Sequence, residues 1–389
     1  MKVCIYNGKI VTPNEVIKGN LYIENGKIKK IEGGESNRDE GYLEIDAKGN
    51  WIMPGIIDCH SDAVELDLQP RPTSIFGIDI AFNELEKKLI SSGITTIYHS
   101  LSIAKNMFNE DKAPKYYRTP KGVDELSNWI YKNREQALIN HKLHIRYEID
   151  NVGGGEQVKR LMSENKIDEL SIMDHTPGQG QFRNLEKYTK VVAAYRDCSE
   201  DEAKEYIKES MEREKMSAQE IGEMIECAQK NGIPVASHDD DEATKIDLLK
   251  EWKVQISEFP ITLDVAKYAK EQGMYTVMGA PNILLGGSHS GNLSAEVAIN
   301  HDAVDILCSD YYPSSILHSI FYMYRKGKAI EDMVRLASLN PAKALNIADK
   351  TGSIEEGKMA DILIVEEKNN LPMIKNVFSS GRMVMSIGG

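Results

Sequence analysis

Between residues 55 and 309, short apolar runs alternate with amphipathic stretches. This alternation limits the possible folds more than any other feature of the chain. Candidate strands fall at Gly55–His60, Ile94–His99, Leu143–Asp150, Glu169–Asp174, Ile233–His238, Val254–Phe259, Met274–Met278 and Val304–Ser309. That is about eight, the number that closes a (β/α)8 barrel. Helical patterns at Asp79–Ser92, Asp124–Asn140, Ser217–Asn231 and Leu263–Gln272 lie between them. The charged stretch Arg183–Met216 is longer than one βα loop requires. It reads as a solvated helical face, with a subunit contact in a homo-oligomer as the other reading.

The two ends are written differently. Lys2–Tyr6, Asn20–Glu24 and Lys27–Glu32 alternate in hydropathy around Asn7-Gly8 and Asn25-Gly26, the strongest short hairpin signal. Ala360–Glu366, Met373–Phe378 and Arg382–Ser386 repeat the style. Neither piece can bury a core alone, so the two are predicted to pair. The expected architecture is an α/β protein with a TIM-like barrel over residues 53–354. A small β-sandwich domain joins 1–52 to 355–389.

With 389 residues and a formal net charge of -13, the chain is too acidic for non-specific nucleic-acid binding or an anionic membrane surface. A local site can still oppose that sign, so a phosphorylated small-molecule substrate stays open. Five cysteines without a CxxC pair fit a reducing cytoplasm. Met1–Tyr6 lacks the pattern of a signal peptide, and no apolar run is long enough to span a membrane.

Chemistry is concentrated where strands end, the face on which barrel enzymes carry their sites. His60 and Asp62, His99, Glu148, Asp174-His175, His238-Asp239-Asp240 and Ser309-Asp310 all stand there. His60 and Asp62 are two residues apart at a strand end, so they project to one side and could share a divalent ion. Converging on one axis, imidazoles and carboxylates make a cage for one or two divalent ions, zinc or manganese being natural choices.

Longer motifs carry a resemblance. Met173-Asp-His-Thr-Pro-Gly-Gln-Gly-Gln-Phe182, Ala236-Ser-His-Asp-Asp240, Gly279-Ala-Pro-Asn-Ile283, Gly286-Gly-Ser-His-Ser-Gly-Asn292 and Ser309-Asp-Tyr-Tyr-Pro313 resemble the PhnM family of the amidohydrolase superfamily. Pro70-Arg-Pro72 and the His144-x-Arg146-x-Glu148 strand fit the same pattern. The resemblance spans essentially the whole chain. It implies a cytoplasmic metal-dependent hydrolase that cleaves the phosphoanhydride of α-D-ribose 1-methylphosphonate 5-triphosphate and releases pyrophosphate.

It also implies roles. His60 and Asp62 match the metal element of the first strand, where a second His is commoner in the superfamily. Glu148 is expected to bridge two ions, with zinc the first choice. His175 and His238 match the two lone histidine ligands. Asp310 matches the last-strand Asp, which ligates an ion and takes a proton from the attacking water.

Other residues divide between functional and plain readings. The glycines of the 286–292 loop let backbone N–H groups approach an anion or sugar, and Ser288, His289, Ser290 and Asn292 add donors. Arg71 and Arg146 are candidate phosphate forks, with a buried ion pair to Glu148 the rival for Arg146. His141, His301 and His318 read as surface or core, and His144 as structural. His99 either faces the site or caps the next loop.

The chain departs from the family at several cationic positions. Leu285 and Gly180 stand where Arg is usual, Ala63–Asp67 lacks the usual Asn and Lys, and His99 stands where an acidic residue is expected. The metal set is intact while phosphate donors are fewer. A paralogue hydrolysing a C–N bond, in a cyclic amide or an aminated ring, is therefore the alternative enzyme. A non-catalytic binding barrel is the alternative of another class.

Overall fold

The computed structural model describes residues 2–34, 41–71, 73–103, 116–288 and 291–388. His289 and Ser290 of the proposed cradle, and Pro72, lie outside them.

The N-terminal strands are β1 (Lys2–Val11), β2 (Val16–Glu24), β3 (Lys27–Gly33), β4 (Leu43–Asp46) and β5 (Trp51–Pro54). The β2–β3 turn uses Asn25 at φ 51° followed by Gly26, left-handed positions that Asn and Gly adopt at low cost. Asn7, at φ 57°, instead makes a bulge inside β1, so the hairpin expected at Asn7-Gly8 turns at Thr12–Glu15. The next eight are β6 (Ile56–Ser61), β7 (Ile94–Ile103), β8 (Asn140–Glu148), β9 (Glu169–Met173), β10 (Val235–His238), β11 (Ile256–Glu258), β12 (Tyr275–Gly279) and β13 (Ile306–Cys308). The chain ends with β14 (Ile362–Lys368), β15 (Leu371–Ser379) and β16 (Arg382–Ser386).

Two eight-stranded sheets result. One mixes both ends of the chain in the order β16-β15-β14-β5-β1-β2-β3, with β4 beside β1. The ends meet where β14 runs antiparallel to β5, Leu363 opposite Met53 and Ile364 opposite Ile52. Its own core includes Ile5, Ile10, Leu21, Ile23, Ile52 and Phe378. The second sheet runs β6 to β13 in sequence order, every neighbouring pair parallel. This is the barrel that the alternation predicted.

The helices follow the predicted positions, with the largest difference at one end. The helix predicted to run to Asn140 spans Pro120–Asn133, and β8 begins at Asn140, earlier than the predicted Leu143. Polar Asn140 and Lys142 disguise the start of that strand. The charged excursion contains two helices, Leu185–Arg196 and Glu200–Met211, packed on a small core of Val192, Ala203 and Ile207. Among the described residues, no helix is long and apolar enough to cross a membrane.

Between β13 and β6 the barrel closes largely through side chains. Asp58 on β6 accepts the Ser309 N–H at 3.0 Å and the Ser309 hydroxyl at 2.6 Å. Ser309 Oγ also lies 2.9 Å from Ser61 Oγ. Two backbone bonds complete the seam: Asp310 N–H to His60 O at 3.0 Å and Asp62 N–H to Asp310 O at 2.6 Å. Asp58 is fully buried, and burial pushes its carboxyl up to about 6 despite the Ser309 donors.

Replacing Asp58 by Ala leaves two buried donors unsatisfied and should destabilise the fold by about 3 kcal/mol. Asp58→Asn still accepts the Ser309 N–H and can donate to Ser309 Oγ, so it should cost under about 1 kcal/mol. Urea unfolding compares the two, and equal losses would show that the seam does not depend on these bonds.

Candidate metal centre

The carboxyl ends of the barrel strands bring most of the predicted residues to one place. A cavity of about 370 Å3 opens there. His60, Arg146, His238, Asp310, Ser288 and Asn292 line it, together with Gln181, Asp239 and Tyr311. Phe259, Pro260, Met278 and Leu293 form an apolar part of the same wall.

Three residues at this mouth hold left-handed backbone that non-glycine residues seldom adopt. They are Asp239 at φ 53°, Phe259 at φ 54° and Asp310 at φ 57°. Each stands one or two residues past its strand. Each still donates its N–H to the next strand: Asp239 to Glu258 O and Phe259 to Val277 O, both at 2.9 Å, and Asp310 to His60 O at 3.0 Å. The ladder thus continues one step while the chain turns. Strain of this kind, of order 1 kcal/mol or more per residue, persists only where surrounding bonds hold it.

The histidines are oriented by carboxylates. His175 Nδ1 is hydrogen-bonded to Glu148 Oε1, which leaves Nε2 as its second donor atom. His60 Nδ1 lies 2.7 Å from Glu258 Oε1, and Glu258 Oε2 accepts from Ser171 Oγ at 2.9 Å. A carboxylate on one ring nitrogen, with the other left for a ligand, is the usual setting of a metal-binding His. Burial disfavours charge on His60, but Glu258 outweighs it and holds the imidazole above its ordinary value.

His175 Nε2, His238 Nδ1 and Asp239 Oδ2 are buried, have no hydrogen-bond partner, and face one another. Asp239 Oδ2 lies 3.5 Å from His175 Nε2 and 3.3 Å from His238 Nδ1. Orphaned buried polar atoms are costly, and two imidazole nitrogens with one carboxylate oxygen match a catalytic zinc donor set. The residues therefore fit a divalent ion.

Arg146 is also at the centre. Nη1 donates to Asp62 at 3.1 and 3.4 Å, and Nη2 lies 3.3 Å from His238 Nε2. Its guanidinium is engaged with Asp62, rather than with the predicted rival Glu148. Asp310 lines the cavity, and burial raises its carboxyl above the ordinary value despite His60.

Other predicted residues lie apart. Arg71 is exposed, in a turn where it bridges to Ser74, and does not line the cavity. His99 faces away: its Nε2 meets His141 Nδ1 at 2.8 Å, and the ring packs on Phe82. His144 is fully buried, its Nδ1 3.2 Å from Cys59 O. Two residues at the centre were not among the predicted ligands. Asp239 was visible as a carboxylate directly after a strand-ending His. Glu258 was visible as the one ionisable residue in the otherwise uncharged run Val254–Phe259.

Burial opposes charge on His175, but Glu148 and Asp239 raise its pKa to about 10. His238 is instead lowered by burial. Below pH 10 a proton on His175 competes with an ion, and raising the pH removes the competitor. Zinc affinity should climb about tenfold per pH unit around neutrality, with about one proton released per ion. Calorimetric titration in buffers of differing ionisation enthalpy measures this, and zero release would show that no proton on His175 stands against the ion.

Comparison with known proteins sets this geometry in context. Residues 145–385 match the model of the amidohydrolase family. The chain is 31% identical over 386 residues to the α-D-ribose 1-methylphosphonate 5-triphosphate diphosphatase of Escherichia coli strain K12, covering 98% of this chain and 99% of that protein. It is 23% identical to a 5-methylthioadenosine/S-adenosylhomocysteine deaminase of Bacillus cereus, over 95% of this chain and 86% of that one. The dihydropyrimidinase structure from Brevibacillus agri superposes with a TM-score of 0.68 at 15% identity, covering 99% and 95% of the two chains.

Proposed function

Because the chain belongs to the amidohydrolase family, a family of metal-dependent hydrolases, we propose that its barrel, residues 53–354, cleaves a phosphoanhydride. The proposed substrate is a ribosyl-phosphonate 5-triphosphate, hydrolysed to the 5-phosphate and pyrophosphate. One observation carries the hydrolytic reading: the orphaned atoms of His175, His238 and Asp239 converge beside a cavity that Asp310 also lines. The substrate is argued from the E. coli diphosphatase, similar along its entire length.

Zinc is the ion this donor set suits best, and the chemistry it supplies when bound is Lewis acidity, which makes hydroxide available near neutral pH. The chain's own residues do the rest. Asp310, whose carboxyl burial raises above its ordinary value, is placed to take the proton of the attacking water and return one to the leaving group. Water oxygen bonds to the phosphorus nearest the ribose as the bridging P–O bond breaks, and pyrophosphate leaves. Arg146 presents a fixed positive charge to the cavity, and Ser288 and Asn292 present neutral donors.

A C–N hydrolase is the second reading, favoured by the apolar wall of Phe259, Pro260, Met278 and Leu293, which suits a ring. Assaying pyrophosphate release from the ribosyl triphosphate beside ammonia release from aminated purines separates the two. Ammonia without pyrophosphate would replace the first reading by the second.

Asp310→Asn should reduce hydrolysis by about a thousandfold while zinc remains bound. Asn tolerates the left-handed backbone at this position, so the fold is preserved. Activity within tenfold of wild type would remove Asp310 from the proton-transfer role.

A further inference from the structure

The ligand atoms at the barrel mouth fall into two groups. On one side, His175 Nε2, His238 Nδ1 and Asp239 Oδ2 are buried without partners. On the other, the chain itself already engages much of the donor set. Asp62 accepts from Arg146 Nη1 at 3.1 Å, and His238 Nε2 lies 3.3 Å from Arg146 Nη2. His60 holds Glu258 at 2.7 Å.

We propose that Arg146 is a built-in cation occupying the place of a second metal ion, so that the centre loads one divalent ion, on His175, His238 and Asp239. This rests on the metal-hydrolase reading above and departs from the two-ion expectation drawn from the family resemblance. A metal ion can displace a proton from an imidazole. It cannot discharge a guanidinium, which stays protonated at any working pH. A second ion on Asp62 would have to sit against that charge, or eject a side chain only 11% exposed from its ion pair. Arg146 instead neutralises Asp62 and turns a fixed positive charge toward the cavity, the electrostatic part of what a second ion would contribute there.

Zinc content decides the proposal. The full-length protein is stripped with chelator, reloaded with zinc, freed of excess and measured by plasma mass spectrometry. The wild type should hold one ion per chain, and Asp62→Asn should still hold one. Arg146→Ala should take up a second, and Asp239→Asn should bind the first at least about tenfold more weakly. Two ions in the wild type would overturn the proposal, as would loss of the ion in Asp62→Asn. One ion in Arg146→Ala would overturn the part assigned to Arg146. No ion in any form, with no hydrolysis, would instead bring down the metal-hydrolase reading itself.

Should Arg146→Ala not fold, the manganese-loaded wild type gives an independent answer. Electron paramagnetic resonance should show an isolated ion, and the exchange-coupled spectrum of an ion pair would overturn the proposal.

Discussion

The seam between the first and last barrel strands is the constraint on which the site depends. A parallel barrel must join its ends, and here β6 and β13 are held by Asp58, Ser309 and Ser61 rather than by a long ladder. The two backbone bonds that finish the seam belong to His60, Asp62 and Asp310. Closing the barrel and bringing these three residues together are therefore one event. Asp310 receives its left-handed backbone from the same bonds, which aim its carboxylate into the cavity instead of along the sheet. The cost of burying Asp58 is borne at this seam, where its raised pKa shows that the charged form is disfavoured.

Charge balance then decides what the mouth can hold. Asp62, Glu148, Asp239, Glu258 and Asp310 bring five carboxyl groups to a small buried volume, which is stable only if cations meet them. The chain supplies one permanently, in Arg146, and burial fails to discharge it because Asp62, Glu258, Asp310 and Glu148 surround it. Imidazole protons on His60 and His175 supply part of the remainder. Glu169, deeper in the barrel, lies 3.7 Å from His144, where burial disfavours charge on the imidazole, and burial raises the Glu169 carboxyl far above the ordinary range. The proposed ion on His175, His238 and Asp239 would complete the balance in place of an exchangeable proton.

The barrel could be read from the sequence because its signal is periodic. Each strand is an apolar run bounded by helix, and burial on both faces writes that run plainly. Even Glu258 sits inside such a run. The small sheet was legible from its alternating strands and the Asn25-Gly26 turn, while Asn7-Gly8, which has the same signature, is a bulge inside β1. The site was legible residue by residue but not pair by pair. His60, His175, His238 and Asp310 stand at strand ends, where one-dimensional position already says they face the mouth. Which carboxylate meets which imidazole depends on the stagger of neighbouring strands, which no local pattern records. The contact of Glu148 with His175 Nδ1, for example, is written in no local pattern of either strand. His99 shows the same limit: it alternates to the outer face of β7 and stacks on His141.

Left-handed backbone at the mouth explains how Asp239 in particular joins the site. Glycine would turn the chain after β10 without strain, but it has no side chain to bring inward. An aspartate tolerates the same backbone and carries a carboxylate through the turn, so Asp239 reaches the two histidines that flank it. Phe259 makes the corresponding turn after β11 with a bulkier group and at greater strain. Its ring then packs against both His60 and His238, with centroids 5.0 and 5.1 Å away. A glycine there would relax the backbone and remove the ring that packs against both imidazoles. The strain at Phe259 is therefore tied to holding the two rings still. Stiff ligands favour a centre with fixed donor positions over one that rearranges around its occupant.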